Sequence, residues 1–260
     1  MQGTKIVEQK KVKPYKPIMV VGLPGVGYVG RLVALHLIKQ FKAEKFAVLY
    51  SDQFPYEVIM TKKGTVRIAS NRFYLIKRKR PQSDIIVLTG DVQALTSEGQ
   101  YLVNTKILDY FKSLGGSFIY TLGGYSSGNA IVEKPRVFGN ATSLKVVDSF
   151  KKSGVIFGKT RGSIVGSAGL IVAFAKAEKL DGICLMGESS FLNVDANAAK
   201  SVLLVLSKNL GLKIDTAGLD SIINKTAQAL KSIEEQAQGI PQAKPFGPGE
   251  EFGGKPSYIR

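Results

Sequence analysis

The side chains and backbone positions best suited to chemistry in this 260-residue chain cluster around Gly22-Leu-Pro-Gly25-Val-Gly27-Tyr-Val-Gly30. Residues 25–30 fit the pattern GxGxxG, and Asp52 follows Gly30 by 22 residues. Such glycines let backbone amides approach a pyrophosphate at a helix N-terminus, and an acid at that distance accepts from a ribose hydroxyl. Gly22, Gly25, Gly27 and Gly30 equally suit a tight turn and close helix–sheet contact with no ligand, and both readings stand at this point. Further along, Glu188, Ser189 and Ser190 follow an apolar run. With Gly123-Gly124-Tyr125-Ser126-Ser127 they are placed to line a pocket at the end of a sheet. Neither serine has an adjacent base, so neither reads as an activated nucleophile.

The counts remove other chemistries. A histidine-based triad would hang on the single ring of His36, and multi-histidine metal sites are excluded. His36 falls within a helical pattern and reads as a packing or surface residue. The lone Cys184, within Ile-Cys-Leu, reads as a small buried hydrophobe that forms no internal disulfide, as expected of a cytoplasmic protein. Neither a cofactor nor a metal is expected.

Positioning these residues requires alternating strands and helices. Residues 18–21 form an apolar run closed by the glycine segment, and helical spacing then covers residues 31–40. Residues 46–50 read as the second strand. Residues 57–60, 66–70 and 73–76 alternate around Lys63-Gly64 and Asn71-Arg72, which predicts an antiparallel hairpin or meander. Strands at 85–89, 118–122, 162–165 and 182–186 are interleaved with helices at 98–114, 143–152, 168–179, 195–210 and 220–238. Residues 123–128 read as a loop. The pattern predicts an α/β fold: a mostly parallel mixed sheet with helices on both faces. The expected organisation is a basic segment 1–16, a single α/β domain 17–238 and a flexible tail 239–260.

Apolar residues make up 44% of the chain and charged residues 22%, which suits a buried core and argues against general disorder. The first sixteen residues lack an apolar stretch, and no run approaches the ~18 residues of a membrane span, so neither export nor insertion is expected. The net charge of +16 is lopsided: residues 1–83 hold 17 Lys/Arg against 4 acids. Eight basic residues and no acid lie between Val58 and Ser83, ending in Lys77-Arg78-Lys79-Arg80. This run could contact phosphates or an acidic protein. No nucleic-acid-binding module accompanies it, so nucleic acid is not the expected partner.

After Gly239 prolines and glycines dominate, with Phe246, Phe252 and Tyr258 interspersed among charged residues. Such a segment builds no core, and 22 extended residues reach on the order of 70 Å at ~3.3 Å each. Aromatics along a flexible tail suit a docking peptide.

Several segments together carry a resemblance. The stretch Val20 to Gly30, then Ser51-Asp52-Gln53-Phe54-Pro55, is similar to the opening of the proteasome assembly chaperone family, in its archaeal branch. So are Gly169-Leu170, Leu180-Asp181-Gly182-Ile183-Cys184-Leu185-Met186-Gly187-Glu188-Ser189-Ser190, and Asp195 with Ala198-Ala199-Lys200-Ser201-Val202-Leu203. The order and spacing match over residues 17–235. The resemblance implies an α/β fold like that of purine nucleoside phosphorylases, no catalysis, homo-oligomers, and binding to the proteasome α-subunits or α-ring through the C-terminus. In the family the terminal motif is hydrophobic-tyrosine-any residue. Here the chain ends Pro256-Ser257-Tyr258-Ile259-Arg260, with tyrosine third from last. Tyr258, Ile259 and the terminal carboxylate of Arg260 still supply an aromatic anchor, an apolar neighbour and a negative charge.

The expected function is therefore a non-enzymatic, homo-oligomeric proteasome-binding chaperone or adaptor working through its tails. The alternative is a nucleotide- or nucleoside-binding enzyme using the glycine loop and Glu188. Nonspecific nucleic-acid binding through residues 77–80 is a third reading.

Overall fold

The computed structural model describes residues 2–128, 132–158, 162–190 and 194–238. The described residues up to Ile223 form one compact unit, and those from Asn224 to Gln238 belong to a second. The compact unit is built on an eight-stranded mixed sheet ordered β1-β3-β6-β7-β2-β8-β10-β9. Its strands are β1 (Lys5–Glu8), β2 (Ile18–Gly22), β3 (Glu44–Tyr50), β6 (Asn71–Ile76), β7 (Ile85–Gly90), β8 (Phe118–Ser126), β9 (Val137–Ala141) and β10 (Asp181–Ser189). A separate hairpin joins β4 (Val58–Met60) to β5 (Val66–Ile68).

The four central strands β7, β2, β8 and β10 run parallel. Strands β6, β3 and β1 extend one side by antiparallel pairing, and β9 closes the other side antiparallel to β10. Parallel neighbours require crossovers, which the helices supply. These are α1 (Val29–Gln40), α2 (Ser97–Ser113), α3 (Leu144–Lys151) and α4 (Ser167–Ala177); α5 (Ala196–Leu210) and α6 (Ala217–Gln238) follow the last strand.

Strand periodicity divides the apolar residues between two cores. Ile18 and Val20 of β2, with Ile85 and Val87 of β7, face α1 and α5. Met19 and Val21, with Ile86 and Leu88, face α2 and α4. Covered on both faces, these strands read as continuous apolar runs rather than alternating ones. The helices start where side chains cap them: Thr96 accepts from the Gly99 amide, Ser143 from Val146, and Asp195 from Ala198. Gly211, at a φ of 63°, ends α5 in the left-handed conformation.

The structure departs from the sequence reading at three places. Residues 162–165 are not a strand; they lead irregularly into the N-terminus of α4, and the outer strand beside β10 is β9. Val137-Phe138-Gly139-Asn140-Ala141 gives a weak strand signal, yet Val137 and Phe138 are buried, and Gly139 makes room for Val155 and Phe157. Residues 123–126, read as a loop, continue β8 in register with Met186–Ser189 of β10. Glycine is tolerated there because the backbone of Val26 passes so close that a Cβ on Gly124 would lie 3.1 Å from its carbonyl carbon. Finally, the basic N-terminal segment contains β1, which pairs with β3.

Candidate functional site

The candidate residues meet at the C-terminal ends of the parallel strands, where α/β sheets place ligands. Gly22 ends β2, and the loop then turns into α1 through Tyr28, itself in a left-handed conformation at a φ of 52°. Gly22 and Gly30 bring the helix onto the sheet. A Cβ on Gly22 would sit 2.7 Å from the Ala34 Cβ, and one on Gly30 would sit 2.9 Å from the Leu122 carbonyl carbon of β8. Gly27, at a φ of 59°, presses against Ser189 and Asp195, and its carbonyl accepts from the Asp195 amide at 2.8 Å. Gly25 has open space around it, the nearest group being the Gln93 amide nitrogen at 3.8 Å from a built Cβ.

Gln93, which nothing in the sequence singled out, ties this region together. Its amide donates to the Pro24 carbonyl, and its oxygen accepts from the Ser167 amide at 2.9 Å, capping α4 in place of a side chain at Gly166. Around it the glycine loop, Gly123, Gly124, Val165, Ala168 and Met186 enclose a cavity of about 70 Å³. Sites for small molecules span ~300–1,000 Å³, whereas this one holds about two waters.

Asp52 does not face the loop. The strand preceding it, β3, is separated from β2 by β6 and β7, which at ~4.8 Å per strand puts it about 14 Å away across the sheet. Its exposed carboxylate accepts instead from the Gly3 amide at 2.6 Å, the main contact holding it below the usual range. A dinucleotide fold brings its second strand beside its first, so the geometry that a ribose contact requires is not formed here.

Glu188 is 3% exposed and accepts both arms of the Arg136 guanidinium, from Nε and Nη2 at 2.7 Å each. That pairing outweighs burial and keeps the carboxyl below its ordinary value. Ser189 and Ser190 donate their hydroxyls to Asp195 Oδ2 at 3.0 and 3.1 Å, and the Ser190 amide donates to the same oxygen at 2.9 Å. Asp195 thus serves as helix cap and serine acceptor together. The His36 ring is hydrogen-bonded to Gln40, one turn along α1. Cys184 is fully buried, and burial pushes its thiol up to about 11, the opposite of an activated nucleophile. Among the described residues no His/Cys/Asp/Glu group could hold a metal ion, and no helix is long and apolar enough to cross a membrane.

The basic run is partly consumed by the fold. Arg78 donates to the carbonyls of Ser83 and Leu210, and Arg80 stacks 4.0 Å above the Tyr15 ring. Lys77 and Lys79 remain exposed. The tail residues Phe246, Phe252, Tyr258, Ile259 and Arg260 lie outside the described residues.

The fold is a doubly covered mixed sheet whose strand-end loops pack closely on one another. The chain belongs to the PAC2 family, whose model matches residues 19–237. It is 37% identical over 253 residues to the Methanocaldococcus jannaschii protein MJ1210, covering 93% of this chain and 94% of that protein. A crystal structure of Pyrococcus furiosus PbaB, described as an archaeal proteasome activator, matches with a TM-score of 0.85 and 38% identity. The match covers 90% of this chain and 100% of that one. Pyrococcus furiosus PbaA, described as an archaeal homolog of proteasome-assembly chaperone, has the same fold, with a TM-score of 0.75, 24% identity, and 91% and 94% coverage.

Proposed function

We propose that this protein is a non-enzymatic chaperone or adaptor of the cytoplasm that forms homo-oligomers and engages the proteasome α-ring through its C-terminal tails, assisting assembly or activation. The observation that carries the reading is the likeness of the whole folded body to PbaB, a protein described as a proteasome activator. The small strand-end cavity weighs against the nucleoside reading of the glycine loop, because about 70 Å³ is well below the size of a nucleoside site. The tail contributes Tyr258, Ile259 and the Arg260 carboxylate as a terminal anchor, with Phe246 and Phe252 as further apolar contacts. Several copies on one body raise the effective concentration of each later tail, so weak single contacts sum to firm attachment.

The test compares the full chain with a variant lacking residues 257–260. The full chain is expected to co-migrate with assembled α-rings on a native gel, and the truncated chain to migrate alone with unchanged circular dichroism. Equal co-migration of both would overturn the tail mechanism.

A further inference from the structure

The side of the sheet opposite β9 carries a second concave surface. Between β3, β6 and the end of β5 lies an open groove of about 580 Å³, within the range of built binding sites. Arg67, Arg72 and Lys45 bring positive charge to it, Tyr50 and Tyr74 bring rings with hydroxyls, and no acidic side chain lines it. The guanidiniums are fixed in place. Arg67 donates to Asp91 at 2.5 and 2.9 Å, and Arg72 at 2.8 and 3.3 Å, so two cations share one buried carboxylate and a positive charge is left over.

The groove runs into an apolar surface through Ile68. In the β4–β5 hairpin, Val58 pairs with Ile68 and Met60 with Val66, so all four side chains share one face. Each is more than half exposed. On the other face Ile59 packs against the core and Arg67 reaches Asp91, so the hairpin is pinned to the body with its apolar side outward. An apolar exposed face beside a cationic groove marks a contact surface rather than idle exposure.

We propose that this groove and hairpin face bind an extended acidic segment of a protein partner, its carboxylates set against Arg67, Arg72 and Lys45 and its apolar side chains against the hairpin. The charge argues for an acidic partner, since Lys45, Arg67 and Arg72 line the groove with no acid among its lining residues, and Asp91 offsets only one of the two guanidiniums. The apolar face argues for protein over nucleic acid, because Val58, Met60, Val66 and Ile68 gain nothing from a phosphodiester backbone. Free hairpin edges suit an added strand, whose main chain supplies affinity while alternate side chains supply selectivity. The proposal concerns the body alone and holds whether or not the tail docks.

The test is fluorescence anisotropy with the full-length protein and a labelled peptide of alternating Glu and Leu, compared with the same peptide carrying Gln for Glu and with oligothymidylate. The acidic peptide is expected to bind, the Gln peptide about tenfold more weakly, and oligothymidylate more weakly than the acidic peptide. Lys45→Glu and Ile68→Asp, both at exposed positions that leave the fold intact, are each expected to weaken the acidic peptide about tenfold, with Lys145→Glu on α3 as the unaffected control. Three results would overturn the proposal: equal binding of the two peptides, tighter binding of oligothymidylate, or variants at Lys45 and Ile68 indistinguishable from the Lys145 control.

Discussion

Gly30 of α1 rests directly on the carbonyl group of Leu122 in β8, with no space between helix and strand for even one methyl group. Close helix–strand packing is the role a nucleotide fingerprint gives its third glycine; the glycine it would set beside a pyrophosphate, Gly27, is pressed against Ser189 and Asp195, while Gly30 only seats the helix. Gly25, five residues earlier, is open. Gly30→Ala is expected to cost about 1–3 kcal/mol or more, because α1 must lift from the sheet, whereas Gly25→Ala should stay within about 0.5 kcal/mol. Urea denaturation of the two variants measures the difference.

The Arg67–Asp91–Arg72 cluster makes stability depend on acid pH. Burial opposes ionisation of Asp91, yet the hydrogen bonds from Arg67 and Arg72 outweigh it and hold the carboxyl at about 2, below its ordinary 3.8. A lowered folded-state value stabilises above the unfolded one, so the contribution is complete above pH ~4 and is lost as pH falls towards 2. It amounts to roughly 2 kcal/mol. Asp91→Asn should remove this component, so the gap in denaturation midpoint between variant and wild type narrows across that window.

Asp195 holds more than its helix. With the carboxylate gone, Asp195→Ala leaves the Ala198 amide, the Ser190 amide and the Ser190 hydroxyl without their acceptor in a buried setting, while Ser189 keeps only the Ser190 carbonyl. A loss of about 2 kcal/mol or more is expected from the cap and the stranded donors together. Asp148→Ala, which breaks only an exposed pair with Lys151, should cost under about 0.5 kcal/mol. Thermal unfolding of both reports the contrast.

Nucleotides, nucleosides and dinucleotides should leave the melting temperature unchanged. A ligand present at a hundred times its dissociation constant would add about 2.7 kcal/mol, a shift of several degrees that scanning fluorimetry resolves. Stabilisation by any of these compounds would revive the nucleotide-binding alternative.

The central parallel strands and their helices were legible in the sequence because burial on both faces turns the strands into plain apolar runs, separated by segments of helical spacing. Strand β9 was not legible. Its residues are held by β10 and by Val155 and Phe157, contacts that no local spacing announces. The sequence left Asp52 open either to a ribose contact or to a plain strand-end role, because chain order gives strand sequence, whereas β6 and β7 insert themselves between β3 and β2 only through tertiary pairing. Gln93 and Arg136 were invisible as site residues because each acts on a backbone or side chain more than fifty positions away. The glycine pattern itself was plain, but its use was decided by what stands behind it, Ala34 and Leu122, rather than by the glycines.

One amide side chain, Gln93, joins the turn before α1 to the start of α4. That bridge couples the turn and the helix start, with the exposed Val26 and Val165 on either side of it. A change at Gln93 therefore loosens two distant stretches of backbone at once.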